Sequence, residues 1–223
     1  ADPKPRPSRT RPSPMVAKDA DRTRADILVA ATREFAENGY SGARIENIVA
    51  RMATSKRMIY YYFKDKRGLY SAVLEEHYRT LRDAESVLRL DERAPLDALK
   101  DLINFTFDYH VAHSDRVRLV MVENIHKGRH LSERPLLEQM NAPVIRSVAE
   151  ICRRGAADGT MRTGIDALEL YLSIAAVAFF NVSNRYTFDL IFQRNGQTIE
   201  SLAARRQSVV EMVLRFVSYS NSV

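Results

Sequence analysis

Residues 45–63, IENIVARMATSKRMIYYYF, decide the fold. Ile45, Ile48 and Val49 recur at helical spacing and supply the apolar stripe of one short helix. Met52-Ala53-Thr54 interrupts that stripe, and Thr54 or Ser55 offers a hydroxyl to cap a second helix. Ile59 and Phe63, four apart, give the second helix an inward face, which sends Lys56, Arg57, Tyr60 and Tyr61 outward. A short helix with cations and phenols outward, braced on an apolar helix before it, is what a helix-turn-helix needs to enter a major groove. The same pattern also describes a plain helical hairpin with a basic, solvated face.

Charge favours the first reading. The first 70 residues hold 15 Lys/Arg against 8 Asp/Glu, a net +7, whereas the remainder hold 19 against 20, a net −1. A basic module joined to a near-neutral one implies that only the first meets a polyanion. No long uncharged apolar run occurs, and no basic amphipathic helix carries a Trp/Phe/Leu face, so double-stranded DNA is expected and a membrane is not. Lone Cys152 excludes an internal disulfide framework and fits a reducing cytoplasm, with the nucleoid as the place of action on DNA. The sequon Asn181-Val182-Ser183 lies inside a helical pattern and reads as accidental.

The 223 residues read as all-α, about nine helices in two domains. Residues 1–20, rich in Pro, Ser and Arg, are expected as a disordered basic tail. A first helix over 22–38 buries Ile27, Leu28, Ala31 and Phe35, and Gly39 stops it as a left-handed cap. With the two short helices it makes a DNA-binding domain over 21–68, followed by a ligand-binding and dimerisation domain over 69–223. A fourth helix over 66–88 is long enough to link the two. Pro95 opens a fifth, and others follow over 115–126 and 135–157. The eighth starts at Asp166, where Asp166 and Glu169 approximate a capping box, and runs on through LELYLSIAAVAFFNVSNRYTFDLIF. The last covers 199–219. The eighth is apolar on nearly all sides and rich in Ala, so it is either deep core or an interface. Paired with the last helix and with their copies, it would form a four-helix contact in a homodimer.

These residues resemble the tetracycline-repressor (TetR) family of bacterial regulators. That family shows an apolar helix ending in Gly-aromatic, then I-A-x-x-A-G-V-S-x-G-x-L-Y-x-x-F and a Lys soon after. Gly39-Tyr40, Ile48-Val49, Ser55, Ile59-Tyr60, Phe63 and Lys64/Lys66 stand in that register over about residues 22–75. The resemblance implies an N-terminal DNA-binding domain of three helices, a helical ligand-binding domain, dimerisation through the last two helices, and repression of transcription. It implies phosphate contacts for Tyr60 and Lys66 and base-edge contacts for Lys56, Arg57, Tyr61 and Tyr62; Arg44, Ser55 and Met58 join the DNA-binding set. Tyr62 has a second reading, core packing beside Phe63. Ala53 stands where the family's turn Gly usually is, Met52 and Arg57 replace smaller residues, and Ala43 lacks the usual hydroxyl before the second helix. ENIHKG at 123–128 and the end of the eighth helix bear a weaker likeness to the pyrimidine-sensing RutR branch, which favours a small planar or heterocyclic effector.

Other chemistries fit less well. Gly39-Tyr40-Ser41-Gly42-Ala43 approaches a nucleophile elbow but lacks its last Gly and the strand before it, and no phosphate-cradling loop or HExxH occurs, so no enzyme and no cofactor are expected. His110 with His113, and Glu123 with His126, sit at metal-ligand spacing near helix ends, where capping or surface histidines are the plainer reading; no metal is assigned. An effector pocket needs a greasy lining with a few fixed polar groups, which Phe107, Tyr109, His110, Glu123, Asn124, Phe179, Asn181 and Asn184 offer.

Overall fold

The computed structural model describes residues 14–52, 54–131 and 136–219, the side chains of 14–18 and 136–138 excepted. Ten α-helices and one 3-10 turn, Leu90–Glu92, make up the regular structure of these residues. The helices are α1 (Pro14–Gly42), α2 (Ile45–Ala50), α3 (Lys56–Phe63), α4 (Lys66–Ser86), α5 (Pro95–Ala112), α6 (Ser114–Ile125), α7 (Leu136–Ala157), α8 (Ala167–Ser183), α9 (Arg185–Ile191) and α10 (Ile199–Val217). A lone antiparallel bridge between Met161 and Ser218 ties the end of α10 to the loop after α7.

Two apolar cores divide the chain. The first gathers Ile27, Ala31 and Phe35 of α1, Ile45 and Ile48 of α2, Ile59 and Phe63 of α3, the first half of α4 from Leu69 to Leu74, and Leu119 of α6. The second gathers α5, α7, α8 and α10 around Leu102, Phe107, Val148, Ile174 and Val213. α4 runs between them, its early residues in one core and Leu88, just past its end, against the other.

Three expectations change on contact with the structure. The first helix begins at Pro14, so residues 14–20 belong to it; Pro pre-sets a helical φ at a first turn, and nothing before Gly39 breaks the run. The expected tail over 1–13, and the turn at Ala53, lie outside the described residues. The long eighth helix is two helices, α8 and α9, bent by 67° at Asn184. Asn184 leaves helical geometry with φ −106° and ψ 4°, and side-chain bonds cluster there: Asn184 Nδ2 donates to Ser183 Oγ at 2.8 Å, and Thr187 Oγ1 donates to the Asn184 carbonyl at 3.0 Å. No single described helix is long and apolar enough to cross a membrane, although the bent pair α8–α9 passes on length and composition.

Candidate nucleic-acid interface and effector site

The helix-turn-helix is braced by a carboxylate that the local sequence around it hides. Glu34, fully buried on α1, accepts from the Arg44 backbone N–H at 3.1 Å and from Asn47 Nδ2 at 2.9 Å, and its second oxygen lies 3.5 Å from Arg51 Nη2. The N-cap of α2 is Arg44 and makes no side-chain cap bond; Glu34 instead ties the start of α2 to α1 through the Arg44 N–H and the Asn47 side chain. Ser55 occupies the N-cap of α3 with extended backbone but makes no side-chain cap bond, contrary to expectation. α4 does receive its cap, Asp65 Oδ1 accepting from Gly68 N at 2.7 Å. Gly68 is required here, since a Cβ would stand 2.1 Å from the Phe63 carbonyl oxygen.

α3 buries Ile59 and Phe63 and turns Lys56, Arg57, Tyr60 and Tyr61 to solvent, Tyr61 being 76% exposed. Met58 and Tyr62 are half-buried; the Tyr62 ring packs 5.2 Å from Tyr61 and 6.2 Å from Phe63, centroid to centroid. Arg44 and Ser55 are exposed at the starts of α2 and α3. Two expected contacts are partly engaged within the protein. Lys56 Nζ lies 2.5 Å from Glu46 Oε1, which raises the pKa of the lysine and lowers that of the acid. Lys66 Nζ lies 5.1 Å above the Tyr40 ring and donates to the Ser41 carbonyl at 3.3 Å, and burial pulls its pKa down.

The eight residues expected around one effector pocket are not brought to one place. Phe107 is core. Tyr109 stacks 4.1 Å on His113 and accepts from Arg116 Nη1 at 2.8 Å. Glu123 turns toward α1 and α4: its carboxylate accepts from the His130 N–H at 2.7 Å, pairs with His130 Nδ1 at 2.9 Å, and takes the Leu131 N–H at 3.2 Å. His130 in turn packs 4.4 Å from Tyr40 and 4.9 Å from Tyr70, so Glu123 ties the end of α6 and the turn after it to the first core. Asn124 is exposed and donates to its own helix at Val120. Asn181 and Asn184 line a separate 360 Å³ pocket with Phe180, Arg185 and Phe188. His110 meets Phe179 edge to face at 5.8 Å and its neighbour Tyr109 at 6.4 Å. Helical periodicity gives which residues face inward, not which of two cores they face. Among the described residues, no group of three or more His, Cys, Asp or Glu could hold a metal ion.

A polar cluster not expected from the sequence lies beside His110. His77 on α4 and His110 on α5 are buried, and the Nδ1 of each has no hydrogen-bond partner among the described residues. Burial drives His77 down to about 3, with the positive charge of Arg116 and then that of Arg82 adding to it, and His110 down to about 4, with Arg82 adding to it, so both are neutral at pH 7. Arg82 contacts Glu85 Oε2 through Nη1 at 2.5 Å and Tyr171 Oη through Nη2 at 2.6 Å, while its Nε is buried and unpartnered. Burial pushes Glu85 up to about 7 against the pull of Arg82. Arg82 and Glu85 open onto a 660 Å³ cavity between the end of α4 and α7. A signal was present: Leu69, Val73, His77, Leu81 and Glu85 recur every fourth residue, so two titratable groups stand in an apolar stripe.

Comparison with known proteins adds the following. Residues 27–73 match the family described as bacterial regulatory proteins, tetR family, and residues 95–213 match the tetracyclin repressor-like C-terminal domain. The chain is similar to the HTH-type transcriptional repressor NicS of Pseudomonas putida, 39% identical over 80% of this chain and 84% of NicS. It is similar to the HTH-type transcriptional regulator RutR of Escherichia coli at 32% identity over 44% of this chain and 45% of RutR. Its fold superposes on the crystal structure of SCO4942 from Streptomyces coelicolor with a TM-score of 0.67, at 25% identity, covering 87% of this chain and 98% of that one.

Proposed function

The chain belongs to the tetR family of bacterial regulatory proteins, and from that membership we propose that it is a homodimeric repressor released from its DNA operator by a small planar or heterocyclic effector. The observation that carries the reading is the outward face of α3, where Lys56, Arg57, Tyr60 and Tyr61 stand on a helix braced by α1 and α2. Arg57 can take guanine O6 and N7 as a pair, and a Tyr61 face can meet a thymine methyl. Tyr60 and Lys66 serve phosphates, Lys66 by leaving the Ser41 carbonyl, and Lys56 reaches a base edge by leaving Glu46. Tyr62 reaches the same face only by its outer edge and props Tyr61.

Dimerisation through α8 and α10 rests on two outward stripes. Leu168, Leu172, Ala176 and Phe180 lie every fourth residue on α8, and Ala204, Ser208, Met212 and Phe216 do so on α10, all of them exposed in the single chain. Neighbouring stripes of this kind meet their copies across a two-fold axis. α4 carries the signal, because it reaches from the reader core at Leu69 to the polar cluster at His77, Arg82 and Glu85. An effector releases DNA only by binding more tightly to the conformer whose recognition helices mismatch the grooves.

Electrophoretic mobility shift of the upstream DNA of the chain's own gene, at rising salt, tests the reading. Binding is expected to weaken steeply with salt, as phosphate contacts release counterions. Arg57→Ala is expected to lose about 1–3 kcal/mol on the operator and far less on random DNA. Equal losses on both DNAs would remove Arg57 from the base-reading set, and no shift at low salt would end the DNA-binding reading.

A further inference from the structure

We propose that the effector is an anion, and that its carboxylate docks on the open Nε edge of Arg82. This rests on the ligand-released reading above and names the chemistry of its ligand. Arg82 is a permanent cation whose side chain is only 12% exposed. Its guanidinium is held at both terminal nitrogens, by Glu85 at 2.5 Å and by the Tyr171 hydroxyl at 2.6 Å, which leaves Nε as a buried donor with nothing to donate to. A buried N–H without an acceptor is unfavourable and rare, and Nε with the adjacent Nη2 is one of the two edges on which a guanidinium receives a carboxylate bidentately. Glu85 holds the opposite Nη1, so the Nε side of the fork is the one left without an acceptor.

The surroundings fit such a guest. The buried imidazoles of His77 and His110, each with an unpartnered Nδ1, are neutral and so place no second cation in this region. The Tyr171 ring carries Arg82 at 5.5 Å and its hydroxyl accepts from Nη2, so the guanidinium is fixed in place before any ligand arrives. The 660 Å³ cavity between α4 and α7 gives access to Arg82 past Leu90, Pro143 and Val144. A neutral carbonyl would accept only an ordinary hydrogen bond from that edge; a carboxylate accepts a stronger, charge-assisted one and brings a negative charge beside Glu85. The pull this places on α4, where both groups reside, is what would reach the reader.

Calorimetric titration of the full chain with benzoate, 2-furoate and orotate, each against its neutral amide, tests the proposal. At least one acid is expected to bind about tenfold or more tightly than its amide. Arg82→Gln should abolish that preference, Arg82→Lys should keep part of it, and Glu85→Gln should strengthen acid binding by removing the competing carboxylate. These opposite signs distinguish recognition from loss of fold, and thermal melting confirms that each variant folds. Amides that bind as tightly as acids, acids that do not bind, or an Arg82→Gln variant that keeps the preference would overturn it. The mobility shift repeated with the same compounds separates this from the repressor reading: an acid that binds without releasing DNA supports the anion site and removes the release mechanism. Release by uracil but by none of the acids overturns the anion site and leaves that mechanism standing.

Discussion

His77 stands on the stripe Leu69, Val73, His77, Leu81 and Glu85 of α4, and being buried and neutral there has a consequence in solution. In the folded chain it takes a proton only near pH 3, whereas unfolded it does so near the ordinary 6.5. Between those values unfolding binds a proton, so the stability that neutral His77 permits is present above pH 6.5 and is lost as pH falls toward 3. Urea unfolding at pH 6.5 and pH 5 should show the parent losing about 1–2 kcal/mol more than His77→Asn over that interval. Equal losses would mean that His77 titrates freely. Single residues were unevenly legible in the sequence. The outward set Lys56, Arg57, Tyr60 and Tyr61 follows from the spacing of Ile59 and Phe63 alone, since two inward residues fix a helix face. Glu34 and Glu123 were not legible as structural carboxylates, because their partners lie ten and seven residues away on other segments.

Among the elements, helices announced themselves by punctuation: Gly39 with its φ of 66°, Asp166 accepting from the N–H three residues on, and Pro95 in the first turn of α5, whereas the Asp65 cap of α4 went unread. The break at Asn184 was missed because apolar residues continue at helical spacing on both sides of it, and the departure is confined to the backbone of that one residue. The junction of α3 and α4 depends on Gly68, where any side chain meets a backbone oxygen that cannot swing aside. Gly68→Ala should therefore push the recognition helix off its seat. Equilibrium unfolding should show a loss of about 1–3 kcal/mol, and operator affinity should fall with it. A Gly68→Ala protein of parental stability and affinity would mean that the close approach is not what positions α3.

At the scale of the whole molecule, two cores share α4, and the division was visible only coarsely. Charge asymmetry separated a basic first third from a neutral remainder, but which core Leu119 and Glu123 serve depends on α6 lying against α1, a packing that periodicity does not encode. That is why the expected effector residues scatter while a polar cluster on α4 and α5 was overlooked. Assembly gives a sharper test. Ala176 lies mid-stripe on α8, and Ala176→Glu would bring like charges together without partners, at several kcal/mol per ion. Light scattering should then report monomers or aggregates, and operator binding should weaken because two half-sites are no longer gripped together. A soluble dimer would place the interface elsewhere. Hydroxyl-radical footprinting of the operator with the intact chain tests the central claim most directly, that two copies read DNA through α3. The expected result is two protected patches related by a dyad, about one helical turn or a multiple of it apart, both lost together in Arg57→Ala. A single patch, or protection that Arg57→Ala leaves unchanged, would contradict it.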